Sequence, residues 1–345
     1  MRIIVSTFFT SLLILTAATL VSAEDKAQIV SSTVISNQPP RVCGTDLVRF
    51  NNHWYLAYDD SVDQGSMNSA IRVVRSADGV EWKSETVLKS QTPNRGLYRP
   101  RFTVLSDDQL MVTTTGVVPN PNAETPVPEY GGTINTMAWF TGNGRSWGET
   151  DQIGKNDFPF SRVVRHGESA FSYASGCICG NAQTIHIFSS TNRHHFESLY
   201  EETFQGFFPD EAALLFDGDQ GYCLMSRTDG NFVDDGVLGG YFGISKAPFT
   251  EWKWQEIDAR IKYPNLLQLP DKRIIASVGI VDQKNRISLC ELDPATGNLT
   301  ELLEIPSGGN LMPIGLASDR GDVWVSYQAD HEGTLSVYLA QVKLD

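Results

Sequence analysis

Arginines and carboxylates stand at the ends of several short apolar stretches of this chain. Asp46 lies in RVCGTDLVRF, Arg99 and Arg101 in LYRPRFTVL, Glu211 and Arg227 in FPDEAALLFDGDQGYCLMSR, and Arg286 in NRISLCEL. A planar guanidinium pairs with a carboxylate through two parallel hydrogen bonds, so arginines together can seat an anionic ligand. Carboxylates from different strands can divide general-acid and general-base work, as glycoside hydrolysis requires when water attacks. Brought to one place, such a set suits an anionic ligand. The fold must do the gathering.

Helical periodicity is almost absent. Short alternating strands separated by polar turns fill the chain, as in TDLVRF–NNH–WYLAYDD at 45–60 and YCLMSR at 222–227. Hairpin tips fall near Asn52, Asp107, Gly167, Asp219, Asp271 and Arg320, at intervals of 49 to 60 residues. A period of about fifty residues in an all-β chain marks a propeller with one blade per period, here six. A two-sheet sandwich would leave that even period unexplained. The last unit has three strands before the chain ends, and QIVSSTVI at 28–35 alternates well enough to supply the fourth. Such a strand would close the ring and remove its open edges.

Three related turns recur: RSADGVEW at 75–82, TGNGRSW at 141–147 and SSTNRHHF at 189–196. Each follows the third strand of its unit. Asp78 can accept hydrogen bonds from the turn's own amides, Gly79 tolerates positive φ, and Trp82 can plug between sheets. These turns are read as scaffold, distant from the axis.

The first residues carry Arg2, an apolar run to about Leu20, and Val21-Ser22-Ala23 before Glu24. That pattern reads as a signal peptide over 1–23, leaving a domain over 24–345 that is secreted or periplasmic, without stable membrane insertion after cleavage. The formal net charge is -14, which argues against nucleic acid as a partner, since binding it needs a basic patch. Five cysteines, at 43, 177, 179, 223 and 290, are odd in number and scattered. Cys177 and Cys179 lie in GCICG, yet no histidine or second cysteine pair completes a zinc spacing. No metal and no organic cofactor is expected.

The repeated turns resemble the Asp-box of sialidases, Ser-X-Asp-X-Gly-X-Thr-Trp, in shortened or eroded form. FPDEAALLFDGDQGYCLMSR resembles the sialidase segment in which a glutamate is followed one hairpin later by a substrate-binding arginine. YPNLLQLPDKRIIASVG with NRISLCEL resembles the next blade, and SGGNLMPIGLASDRGDVWVSYQADHEGTLSVYLAQV the terminal blade. The resemblance, to bacterial exo-α-sialidase-like proteins, extends over nearly the whole mature chain. It implies a six-bladed β-propeller of the sialidase type and a glycan substrate or ligand. In that family three arginines hold the sugar carboxylate, a tyrosine is the nucleophile with a glutamate as its partner, and an aspartate is the acid/base. Glu211 matches the glutamate, Arg227 the second arginine and Arg286 the third.

Other positions depart from the pattern. Cys43 falls near the first arginine's place, Asp46 occupies the strand, and Arg41 is out of register. Arg99 stands where the aspartate belongs and Met312 where the tyrosine belongs. Methionine has no proton to lose and no nucleophilic oxygen, so the ordinary retaining mechanism is not expected. On this reading the axial end gathers Asp46, Arg99, Arg101, Glu211, Arg227 and Arg286. Asp46 and Glu211 are the candidate catalytic pair and the four arginines the candidate substrate-binding residues. Tyr98 and Tyr263 are further candidates for proton transfer, or pack at the rim. His194-His195 and His331-Glu332 read as turn residues, and Trp252 with Trp254 as cover for an outer strand. The Pro- and Gly-rich loop at 117–135 is either a lid or an adornment. Two functions stay open: an exported sialidase-like glycoside hydrolase with a rearranged catalytic set, acting on an acidic (sialyl, uronyl or sulfated) glycan, or a catalytically inactive propeller that binds carbohydrate or a protein partner.

Overall fold

The computed structural model of the chain describes residues 26–37, 44–60, 69–118, 132–148, 151–176, 182–229 and 236–345. The signal segment 1–23, Arg41, Cys43, Cys177, Cys179 and most of the 117–135 loop lie outside the described residues. Every element is a strand, and the strands form six four-stranded antiparallel sheets.

Blade one comprises β2 (Thr45–Phe50), β3 (His53–Asp60), β4 (Ala70–Ser76) and β5 (Lys83–Leu88). Blade two comprises β6 (Gly96–Ser106), β7 (Gln109–Val118), β8 (Thr133–Thr141) and β9 (Asp151–Ile153). Blade three comprises β10 (Val164–His166), β11 (Ser169–Ser175), β12 (Ala182–Ser190) and β13 (Glu197–Gln205). Blade four runs β14 (Phe208–Asp217), β15 (Gln220–Thr228), β16 (Val237–Lys246) and β17 (Trp252–Ile257). Blade five runs β18 (Ile261–Gln268), β19 (Ile274–Ile280), β20 (Arg286–Leu292) and β21 (Leu299–Ile305). Blade six joins β22 (Gly315–Asp319), β23 (Asp322–Ala329) and β24 (Ser336–Leu344) to β1 (Ala27–Ser36), which pairs antiparallel with β24. The ring thus closes with a strand from the other end of the chain, as the alternation in QIVSSTVI predicts.

Burial follows position in the blade. Second strands such as β3 are buried almost throughout, whereas the outer β13, ESLYEETFQ, is largely exposed. A strand packed on both faces must be apolar on both, while an outer strand keeps charge on its wet face. Six apolar clusters fill the six seams. Blades one and two share Tyr55, Phe102 and Trp139, and blades six and one share Trp54, Leu339 and Val337. The seam of blades three and four holds Tyr173, Leu214, Cys223 and Met225. Each fully buried Leu or Phe contributes about 1.5–3 kcal/mol relative to exposure, so the seams lock the inner strands at fixed heights about the axis.

The repeated turns lie between third and fourth strands in blades one to three. In blade one, Asp78 Oδ1 accepts from the amides of Val80 at 2.9 Å and Glu81 at 3.0 Å, and Ser76 Oγ accepts from Gly79 N at 2.8 Å. Trp82 Nε1 donates to Gly79 O at 3.0 Å. Asn143 and Asn192 make the same two amide contacts in the next blades. Those backbone amides, with the Ser76 hydroxyl, pull the Asp78 carboxyl down to about 2. The Asp78 contribution is therefore present above the ordinary carboxylate range and is lost as pH falls through about 2. Asp78→Asn, which keeps the acceptor that blades two and three use but not the charge, is expected to lower Tm at pH 7 by less than removal of the acceptor does. Asp78→Ala is expected to lower it further, as thermal denaturation followed by circular dichroism would register.

Candidate functional site

The inner strands break register at one height. Tyr98 pairs with Thr115 and Arg101 with Thr113, so Arg99 and Pro100 face a single residue of β7. Pro209 pairs with Arg227 and Ala212 with Met225, which sets Asp210 and Glu211 opposite one residue of β15. Lys262 pairs with Gly279 and Asn265 with Ser277, so Tyr263 and Pro264 bulge in turn. Proline has no amide to give the ladder, and an extra residue there re-aims its neighbours. Arg99 and Tyr263, each preceding a proline, have φ of 55° and 51°. Non-glycine residues rarely adopt that region, at a cost of roughly 1–2 kcal/mol each.

These bulges, with blade three, wall an axial cavity of about 90 Å³ lined by Arg99, Arg101, Arg162, Tyr173, Asp210 and Glu211, with Ser161, Ser175 and Asn265 between them. Arg99 donates to Glu211 Oε1 at 2.5 Å, its amide donates to Asp59 Oδ1 at 3.0 Å, and its guanidinium lies 5.7 Å over the Tyr263 ring. Arg162 donates to Phe102 O at 2.9 Å and to Asp46. Arg101 is half-buried, and its side chain donates to the adjacent Pro100 O at 3.1 Å. Burial pushes the Arg101 guanidinium down from its ordinary value, while Asp46 and Glu211 pull it back up. A partly desolvated guanidinium on a cavity wall has the chemistry to pair with an oxyanion. Asn265 is fixed by donating to Ile314 O at 3.1 Å.

The six residues singled out in sequence divide. Arg99, Arg101 and Glu211 meet in the cavity. Asp46 does not line it: the carboxylate is fully buried and accepts from Phe102 N at 2.5 Å and from Arg162. The reading of Asp46 as a proton-transfer partner of Glu211 is thereby corrected, because both its oxygens hold protein donors and it braces the wall. Arg227 lies one strand back, 3.1 Å from Glu256 and within 5.4 and 5.1 Å of the Phe207 and Tyr241 ring centroids. Arg286 is taken up by its own blade, bidentate to Glu301 at 2.8 Å and also bonded to Asp282. These carboxylates drive its pKa further up. Neither arginine lines the cavity, and the arginines that do are Arg99, Arg101 and Arg162. Met312 is half-buried and also off the cavity wall. Tyr263 packs against Arg99, and Tyr98 stays in the β6 ladder.

Sequence reasoning passed over Arg162, Tyr173 and Asp210. One signal was available: YRPRF, FPFSR, FPDEA, YPNLL and MPIGL each place a proline in the first half of an inner strand or just ahead of it, in blades two to six. Among the described residues, no three His, Cys, Asp or Glu side chains converge as a metal site would need. Cys223 and Cys290 are free thiols whose burial pushes their pKa up, that of Cys290 to about 12.

The fold is shared with solved propellers. A protein of unknown function from Dyadobacter fermentans matches with a TM-score of 0.78 and 16% identity, over 93% of this chain and 100% of that one. Trypanosoma rangeli sialidase matches with a TM-score of 0.65 and 11% identity, over 88% of this chain and 55% of the sialidase. This chain thus spans about half the length of that enzyme. Penicillium chrysogenum α-L-arabinanase, complexed with arabinobiose, matches with a TM-score of 0.61 and 13% identity, over 90% and 98%. At these identities the likeness is one of fold. No family model and no curated protein matches the sequence.

Proposed function

We propose that the chain is an exported propeller glycoside hydrolase acting on a sugar with an acid group, bound in the axial cavity. The observation that carries this reading is Arg101, a guanidinium on the wall of the cavity that Glu211 also lines, bonded through Nη1 to a backbone carbonyl, Pro100 O, and drawn on by the Glu211 carboxylate. Arg101 takes the oxyanion and orients the sugar. Glu211, met by Arg99 as a carboxylate, takes the proton of a water whose oxygen bonds to the anomeric carbon as the glycosidic bond breaks, and Asp210, the second carboxyl on the wall, gives a proton to the departing glycosidic oxygen. Sialidase and arabinanase neighbours support glycan chemistry at such an axis without fixing the sugar. A second reading, a propeller that binds acidic glycans without cleaving them, is favoured by the Arg99–Glu211 pair, which occupies the carboxylate that hydrolysis needs.

The test is fluorophore release from 4-methylumbelliferyl sialosides, uronides and sulfated glycosides, with neutral glycosides alongside. Release from one acidic class and not from its neutral parent is expected. Saturable binding of that class without release would transfer the site to the second reading. Neither binding nor release would overturn both.

A further inference from the structure

We infer that Tyr173 is a specificity-determining hydrogen-bond donor, and that it meets an oxygen of the same carboxylate or sulfate group that Arg101 seats. This rests on the reading of the axial cavity as an acidic-sugar site. Tyr173 stands on β11, one strand back from the axis, and is 1% exposed. Its ring packs in the apolar seam with Leu214, Cys223 and Met225, while the residue also lines the cavity beside Asp210 and Glu211. Its hydroxyl makes no hydrogen bond of good geometry among the described residues, and the Ser175 side chain is the one polar neighbour close enough to draw its pKa back down. The neighbouring Ser175 turns its own hydroxyl to the Asp210 carbonyl at 3.4 Å. A phenylalanine would fill this seam without the penalty of an unpaired buried hydroxyl, so the oxygen calls for a partner that arrives from the cavity.

The partner must be an acceptor. Burial foremost, then Cys223 and Asp210, raise the Tyr173 pKa well above its ordinary value, so the phenol keeps its proton and donates. That direction sets it apart from a tyrosine that must ionise to attack. The other donors of the wall are largely committed: Arg99 to Glu211, and Arg162 to Asp46 and Phe102 O. Arg101 and Tyr173 thus form the donor side of the cavity, and Asp210 with Glu211 the acceptor side, where sugar hydroxyls would bond. A ligand with an oxyanion flanked by hydroxyls satisfies both sides, whereas a neutral sugar leaves the Arg101 charge unanswered.

Isothermal titration of wild type and Tyr173→Phe with N-acetylneuraminate, glucuronate and galactose 6-sulfate, and with glucose and galactose, tests this. Wild type is expected to bind at least one acidic sugar. Tyr173→Phe should weaken that binding roughly tenfold, the effect of one hydrogen bond to a charged group, with Tm undiminished and any binding of neutral sugars unchanged. Affinity for the acidic sugar within twofold of wild type would overturn the inference and leave the cavity reading standing. A lowered Tm with equal losses for acidic and neutral sugars would mark a purely structural tyrosine and overturn it too. No binding of any acidic sugar by wild type would overturn the cavity reading, and this inference with it.

Discussion

Glu211→Gln is expected to lower kcat on the acidic substrate by about 10²–10⁴-fold, the range set by loss of a positioned proton-transfer group. The amide keeps the shape of the side chain and an acceptor for Arg99, but it cannot take up a proton. KM should move far less, because in the proposed mode the acid group of the sugar sits on Arg101. Stability should change by about 1 kcal/mol, since the Arg99 side chain is 36% exposed and can regain water when its partner loses charge. Steady-state kinetics on the cleaved 4-methylumbelliferyl glycoside, alongside urea denaturation, separates these effects. A kcat within threefold of wild type would show that proton transfer belongs to another group, Asp210 first among them. A kcat loss matched by an equal loss of stability would show that the pair with Arg99 only holds the bulged strand.

The architecture was legible because it is written many times. Six hairpin tips, a turn remade in three blades and an unpaired terminal unit each point to the same ring, and an error in one leaves the others standing. The site is written once. Arg99, Arg101 and Glu211 were reached through the segments that resemble the sialidase blades, and the structure places them at bulges beside inner-strand prolines. Arg227 and Arg286 match the resemblance in sequence, yet Glu256 and Glu301 on the outer strands of their own blades engage them. Cross-strand pairing of that kind depends on register, which a period of about fifty residues does not specify. Tyr173 and Arg162 reach the cavity through packing of blade three against its neighbours, and no local pattern records that. Asp46 was found as a charge on an inner strand, but its burial was not legible. A carboxylate can be fully buried only when donors satisfy it, and those donors come from Phe102 and Arg162, 56 and 116 residues away.

Asp46→Ala is expected to be the most destabilising of these substitutions, by about 3–5 kcal/mol, because it removes one partner of a buried ion pair. Two groups lose their acceptor at once: the amide of Phe102, itself 1% exposed, and the Arg162 guanidinium. Asp46→Asn keeps an acceptor for the amide while leaving Arg162 uncompensated, so it should fall between wild type and alanine. Urea denaturation reads this as a fall in midpoint at constant slope. Replacing both partners, Asp46→Leu with Arg162→Leu, should recover part of the loss, since a well-packed apolar pair can equal a buried ion pair. Recovery above the additive sum of the single variants would demonstrate the coupling. The same series distinguishes bracing from chemistry. A bracing Asp46 predicts that Asp46→Asn, assayed well below its unfolding transition, raises KM as Arg162 loosens in the cavity wall and leaves kcat within about tenfold. A proton-transfer Asp46 predicts the opposite: kcat lost by about 10²-fold or more at an unchanged urea midpoint.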